Sequence, residues 1–204
     1  MKTRSELKDL AIASLKGKWG DAAVVTLIYM LIGFALGIVN AFIPVLGYLI
    51  MLLASLVIGW GYQVIFLGLS RGGNASVGDL FEGFSNGQFG RIIGTMALMC
   101  LYVILWCLLL YIPGIIKALS YSMTPFILRD TDLSYNEAIE RSMKLMDGHK
   151  WQLFVLELSF LGWGILCMFT FGIGFLWLEP YIATTCAEFY KNLLEEEKNS
   201  VQTE

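Results

Sequence analysis

The chain has 204 residues, of which 57% are apolar and 15% charged, with a net charge of -3; soluble domains carry about 25% charged residues. Together with a mean hydropathy of +0.67, this excludes a disordered chain, a nucleic-acid-binding module that works through a basic field, and a conventional water-soluble enzyme. One membrane domain over residues 1–204 is expected, with no room for a separate soluble catalytic domain.

In chain order, residues 1–21 place Lys2, Arg4, Lys8, Lys16 and Lys18 ahead of an apolar run, superficially like a secretory signal. The run from Ala22 to Ile43 exceeds the roughly 7 to 15 residues of a signal core, and no small-residue cleavage site follows it, so a retained transmembrane helix is expected. A crossing takes about 20 apolar residues at about 1.5 Å of rise each. Ala22–Ile43, Ile92–Ile112 and Trp151–Phe171 meet this length, and each ends at a breaker: Pro44, then Pro113-Gly114, then Gly172 and Gly174. Beyond each breaker the chain is apolar again, over Val45–Leu69, Ile115–Leu128 and Phe175–Tyr190.

The fold class is therefore an all-α polytopic membrane bundle: six transmembrane helices as three hairpins, at residues 22–69, 92–128 and 151–190. The runs at 115–128 and 175–190 are short for a crossing. They must extend past the breaker, thin the bilayer or be buried in protein. Pro125 predicts a kink in the fourth span.

Each hairpin is preceded by a polar stretch, at 1–21, 70–91 and 129–150, and an acidic tail follows at 191–204. Thr3-x-x-Glu6, Ser76-x-x-Asp79 and Ser134-x-x-Glu137 read as capping boxes. Leu7, Ala11, Leu15 and Trp19 share one helical face, as do Tyr135, Ile139, Ser142, Met143 and Met146, while Leu80, Phe81 and Phe84 make a shorter middle copy. These are amphipathic helices that lie on the inner membrane surface or fold against protein. Cap, aromatic and breaker recur at similar offsets in the three segments, which is either a true threefold repeat or the hydropathy any hairpin protein must repeat.

Of the 14 Lys and Arg, 13 lie in the N-terminus, the two long loops or the tail, and only Lys117 does not. Positive charge on the inside then puts both termini and the long loops in the cytoplasm and the breaker turns outside. Trp19, Trp151 and Tyr190 are expected at the inner interface, with Tyr48, Tyr111, Trp177 and Tyr181 near the outer one.

The stretches SELKDLAIASLKGKWGDA, LLLYIPGIIKALSYSMTPFILRD and DGHKWQLFVLELSFLGWGILCMFTFGIGFLWLEPYIATTCAEFY cover most of the chain. They resemble a bacterial family of small multi-pass membrane proteins, that of domain of unknown function 975. The resemblance implies a plasma-membrane protein, mostly of Gram-positive bacteria, and brings no catalytic residues to carry over.

Catalytic patterns are absent: no H-E-x-x-H, no G-x-S-x-G and no glycine-rich phosphate loop. His149 reads as a solvated residue at a helix start. Cys100, Cys107, Cys167 and Cys186 are too scattered for Cys-x-x-Cys metal chemistry and read as small buried hydrophobes. No cofactor or metal is implied. Charges within the membrane are the informative residues, because each costs a few kcal/mol there unless it finds a partner or a pathway.

Lys117 and Glu179 fall at similar distances from their breakers, which suggests a pair near the outer face, bordering a polar cavity with Ser120, Tyr121 and Ser122. Alternatively, Lys117 snorkels to the outer headgroups and Glu157 pairs with Lys150 or another basic residue of the inner rim. Gly33-x-x-x-Gly37, Gly90-x-x-x-Gly94 and Ser55-x-x-x-Gly59 permit close helix crossing.

Two functional readings lead. One is a non-enzymatic scaffold, lipid-interacting or envelope-homeostasis component whose amphipathic helices contact the inner leaflet, with anionic lipid, a membrane protein or a second copy as partner. The other is a small oligomeric transporter or channel for an amphiphilic or small solute, built on Lys117, Glu157 and Glu179. A lipid-directed enzyme is a minor third, and nucleic acid is not a partner.

Overall fold

The computed structural model describes residues 2–85 and 87–203, and among them the chain is all-α, without a strand. The elements are α1 (Arg4–Leu15), α2 (Trp19–Phe42), α3 (Pro44–Ser70), a 3-10 turn (Val77–Phe81), α4 (Glu82–Ser85), α5 (Phe89–Leu109), α6 (Tyr111–Tyr121), α7 (Thr124–Asp130), α8 (Tyr135–Leu145), α9 (Lys150–Leu158), α10 (Leu161–Phe169) and α11 (Phe175–Thr203). Four helical stretches are long and apolar enough to cross a membrane: α2, α3 from Val45, α5, and α9–α10 taken together as Lys150–Phe169.

Each predicted breaker sits at a reversal. Pro44 begins α3, and Pro113 falls in the first turn of α6, where a missing N–H removes a donor that would otherwise be left unpaired. The return helix then lies on its predecessor, through Asn40–Gly47, Tyr29–Tyr62 and Thr26–Tyr62 for α2 and α3, and through Cys107–Gly114, Lys117–Trp106 and Tyr102–Tyr121 for α5 and α6. A Cβ on Gly47 would lie 2.7 Å from Asn40 Cα, on Gly114 2.9 Å from Cys107 Cα, and on Gly174 2.6 Å from Cys167 Sγ. In all three places the glycine follows its partner by the same seven residues, a structural repeat that the sequence alignment of the segments leaves faint.

The first short run leaves Ile115 and Ile116 exposed and is buried in protein only in its second half, while the second is lengthened. Pro125 does more than kink its helix: the fourth run breaks at Ser122 and Met123 into α6 and α7, and every residue from Thr124 to Leu128 is buried. The third long run also breaks, at Ser159 and Phe160. The sixth run becomes the first half of α11, which continues as helix through the predicted tail and packs on α1, α2, α3, α8 and α10.

Both longer amphipathic helices turn their apolar faces to protein. In α1 Leu7, Ala11 and Leu15 are buried against the bundle, and in α8 Ala138, Ile139, Ser142 and Leu145 are. The capping box forms only at α1, where Thr3 and Glu6 bond reciprocally. At α8 the Ser134 side chain makes no cap bond; Tyr135 adopts φ +50° and donates its N–H to Thr95 Oγ1 at 2.8 Å.

Tyr181 corrects the expected outer aromatic ring. Its side chain lies 6.5 Å from Trp19 and 5.1 Å from Phe160, so Trp19 and Tyr181 cannot mark opposite interfaces. Tyr190 is likewise core, stacked on Phe126 at 5.2 Å. The Tyr111 side chain lies outside the described residues.

Exposed large apolar side chains concentrate toward the reversals: on α2 from Val24 to Phe42, on α3 from Val45 to Leu53, on α5 from Leu101 to Leu109, and from Leu158 to Phe171. At the other end, cationic side chains cap helix ends. Lys18 and Lys191 donate to the carbonyls of Gly72, Gly73 and Ser70 after α3, and Arg91 donates to those of Leu128, Thr131 and Leu133 after α7. Arg71 makes a two-pronged pair with Asp130, to which Tyr190 also donates.

Candidate functional site

The intramembrane polar residues fall into two cavities on opposite sides of the α6–α7 break. The first, of about 360 Å³, is walled by α2, α3, α5, α7, α9 and α11. Glu157 and Glu179 both line it, with Tyr29, Tyr62, Gln63 and Ser122 as the other polar groups. Neither carboxylate makes a hydrogen bond or ion pair among the described residues. Lys150, the expected inner partner of Glu157, instead lies 3.9 Å from Asp147.

Local sequence places these groups. Tyr62 and Gln63 fall within the buried half of α3, which begins at Leu56. Thr26 Oγ1 donates to the Ala22 carbonyl, so in the 3.0 Å contact between the two hydroxyls Tyr62 is the donor. That bond holds the Tyr62 ring stacked on Tyr29 with centroids 4.5 Å apart. Across the cavity, Trp60 Nε1 donates to the Pro125 carbonyl at 3.0 Å and fixes the start of α7 against α3.

The second cavity, of about 320 Å³, lies between α5, α6 and α8 and holds Lys117. Lys117 therefore does not pair with Glu179. Its Nζ sits 5.2 Å from the centroid of the Trp106 ring and 3.8 Å from Met143 Sδ, reaching toward α8 instead of the outer reversal. Tyr102, Tyr121, Asn136 and Glu140 complete the polar lining.

The predicted group of five is thus divided. Glu157 and Glu179 share one cavity, and Lys117 and Tyr121 share the other. Ser120 enters neither: its hydroxyl donates to the Ile116 carbonyl and its own carbonyl accepts from Ser142. Tyr121 and Ser122, neighbours in sequence, face different cavities, as adjacent residues about 100° apart around a helix do. Sequence reading missed Tyr29, Gln63, Asn136 and Glu140. Gln63 had a usable signal, as an amide within an apolar run; Asn136 and Glu140 had none, sitting on the polar side of an amphipathic helix.

No curated protein and no solved structure matches the chain. A sequence model of the family described as "Protein of unknown function (DUF975)" matches residues 1–117 and 107–197. Those two segments together cover most of the chain, which belongs to that family.

Proposed function

We propose that this is a non-enzymatic plasma-membrane protein of three helical hairpins and six crossings, with both termini cytoplasmic. In this reading the first cavity binds a small cationic solute or cationic amphiphile for passage through the membrane. The observation that carries it is the pair Glu157 and Glu179, lining one cavity without a countercharge. A carboxylate at bilayer depth costs about 2.5–3.5 kcal/mol on insertion scales, so two in one cavity call for a cation to offset them. The faces of Tyr29 and Tyr62 add a cation–π surface. Broken helices beside the cavity, at Ser122–Met123 and Ser159–Phe160, match the discontinuous helices that transporters use around substrate sites.

A scaffold or lipid-sensing role through the amphipathic helices, which composition alone favours, requires their apolar faces to be free. In α1 and α8 those faces pack on the bundle.

Binding and proteoliposome uptake of labelled tetraphenylphosphonium test the reading. Glu157→Gln and Glu179→Gln should each weaken binding by about tenfold, the loss expected when a charge-assisted contact is removed, and the double variant should abolish uptake. Wild-type uptake equal to that of empty vesicles, or variants equal to wild type, would overturn it.

A further inference from the structure

We propose that the second cavity, between α5, α6 and α8, is a headgroup site for an amine-bearing glycerophospholipid. Lys117 and Glu140 both line this cavity of about 320 Å³, yet neither forms an ion pair with the other or with any other described residue. Two opposite charges facing one space and held apart suit a ligand that carries both signs. The contacts Lys117 does make, with a thioether and a ring face, leave its ammonium without a strong acceptor. A phosphodiester supplies one.

Asn136 accepts from the Tyr102 hydroxyl at 2.9 Å through its carbonyl oxygen, so its amide N–H groups remain to donate to the same phosphate. The ligand's ammonium is then met by Glu140 and by the aromatic rings of Tyr102 and Tyr121.

The ligand is a lipid, not a soluble zwitterion, because of what adjoins the cavity. On two of the helices that wall it, Leu101, Leu105 and Ile116, each next in sequence to a residue lining the cavity, are exposed. They form an apolar surface against which acyl chains can lie while the headgroup enters. An anionic lipid without an amine would set its negative headgroup opposite Glu140 with nothing to neutralise that carboxylate, which gives the site its selectivity.

The test is thermal stabilisation of the full chain in mixed micelles by dioctanoyl phosphatidylethanolamine, by dioctanoyl phosphatidylglycerol and by free phosphoethanolamine. Phosphatidylethanolamine should raise the melting temperature at the lowest concentration, phosphatidylglycerol should act more weakly, and phosphoethanolamine should not act over the same range. Lys117→Gln should weaken the phosphatidylethanolamine response by about tenfold, the value of one charge-assisted contact, whereas Lys117→Arg should retain it. Glu140→Gln should bring the two lipids level.

Equal responses to the two lipids in the wild type, a phosphoethanolamine response matching that of the lipid, or an unchanged Lys117→Gln would overturn the proposal. Should Lys117→Gln fail to fold, the wild-type comparison of the three ligands still decides. Glu157→Gln should leave the lipid response unchanged, which separates this site from the cation cavity.

Discussion

Gly61 lies where α3 passes the 3-10 turn, and a Cβ there would stand 2.6 Å from the Leu80 carbonyl oxygen and 3.1 Å from that of Asp79. Backbone cannot swing aside as a side-chain tip can. Gly61→Ala should therefore cost about 1–3 kcal/mol, the range for overpacking, read as a lowered melting temperature in detergent. Gly33 has open space around its Cβ position, so Gly33→Ala should be neutral or stabilise by up to about 1 kcal/mol through helix propensity. In the sequence only Gly33 stood out, through the Gly33-x-x-x-Gly37 motif, and Gly61 carried no signal. Only the neighbour across the helix separates them. The cations tell a similar story: counted as inner-side charge, Lys18, Arg91 and Lys191 also serve as donors to carbonyls at helix ends.

Among the elements, α11 organises the rest, with α1 on one side, α3 and α2 on another and α8 near its end. Two ion pairs hold its charged half: Arg141 with Glu197, and Lys2 with Glu195 at 2.9 Å. The Arg141 side chain donates to Glu197 and holds its carboxyl below the usual carboxylate range, and Lys2 does the same to Glu195. A carboxyl lowered in the folded state stabilises it above the unfolded value near 4.5, and that contribution is lost as pH falls through the folded value. Protection factors over residues 191–203, which correct for the intrinsic slowing of amide exchange in acid, should thus fall below about pH 4.5, before those in α3 do. An equal fall in both would place the acid sensitivity elsewhere. The apolar α3–α7 contact carries one hydrogen bond, and Trp60→Phe, which leaves the buried Pro125 carbonyl unpaired, should cost about 1–3 kcal/mol and loosen the cavity wall at Pro125. Thermal melting reads the first effect and tetraphenylphosphonium affinity the second.

For the whole molecule, the exposed apolar surface is a band toward the reversals, reaching about 27 Å along α2 but only about 12 Å along α3 and α5 at helical rise. A hydrocarbon core is about 30 Å thick, so a crossing here implies local thinning of the bilayer. At the reversals Phe171 is fully exposed, and the N–H groups of Ile43, Leu110, Thr170, Phe171, Gly172 and Ile173 are all bonded to backbone carbonyls, so these turns can sit at the membrane boundary. The topology is checked with the native cysteines replaced by alanine. Single cysteines at Val45 and Ile173 should react with an impermeant maleimide from outside, and one at Asn136 only after permeabilisation. Protection of Val45 from both sides would remove the crossings.

The sequence by itself determined the class of protein, the long apolar helices and the three reversal points, because these follow from local quantities: composition, run length and the backbone chemistry of proline and glycine. It also singled out Lys117, Glu157 and Glu179, since a charge in an apolar run is visible without a fold. Tertiary structure decided their company. Whether Lys117 meets Glu179 or Trp106, and whether the apolar stripes of α1 and α8 meet lipid or protein, depends on which helices become neighbours. Hydropathy carries no such information, because an apolar face is buried equally well by either. Tyr121 and Ser122 line different cavities because adjacent residues point about 100° apart around a helix, and which cavity each one meets is set by the helices packed on either side.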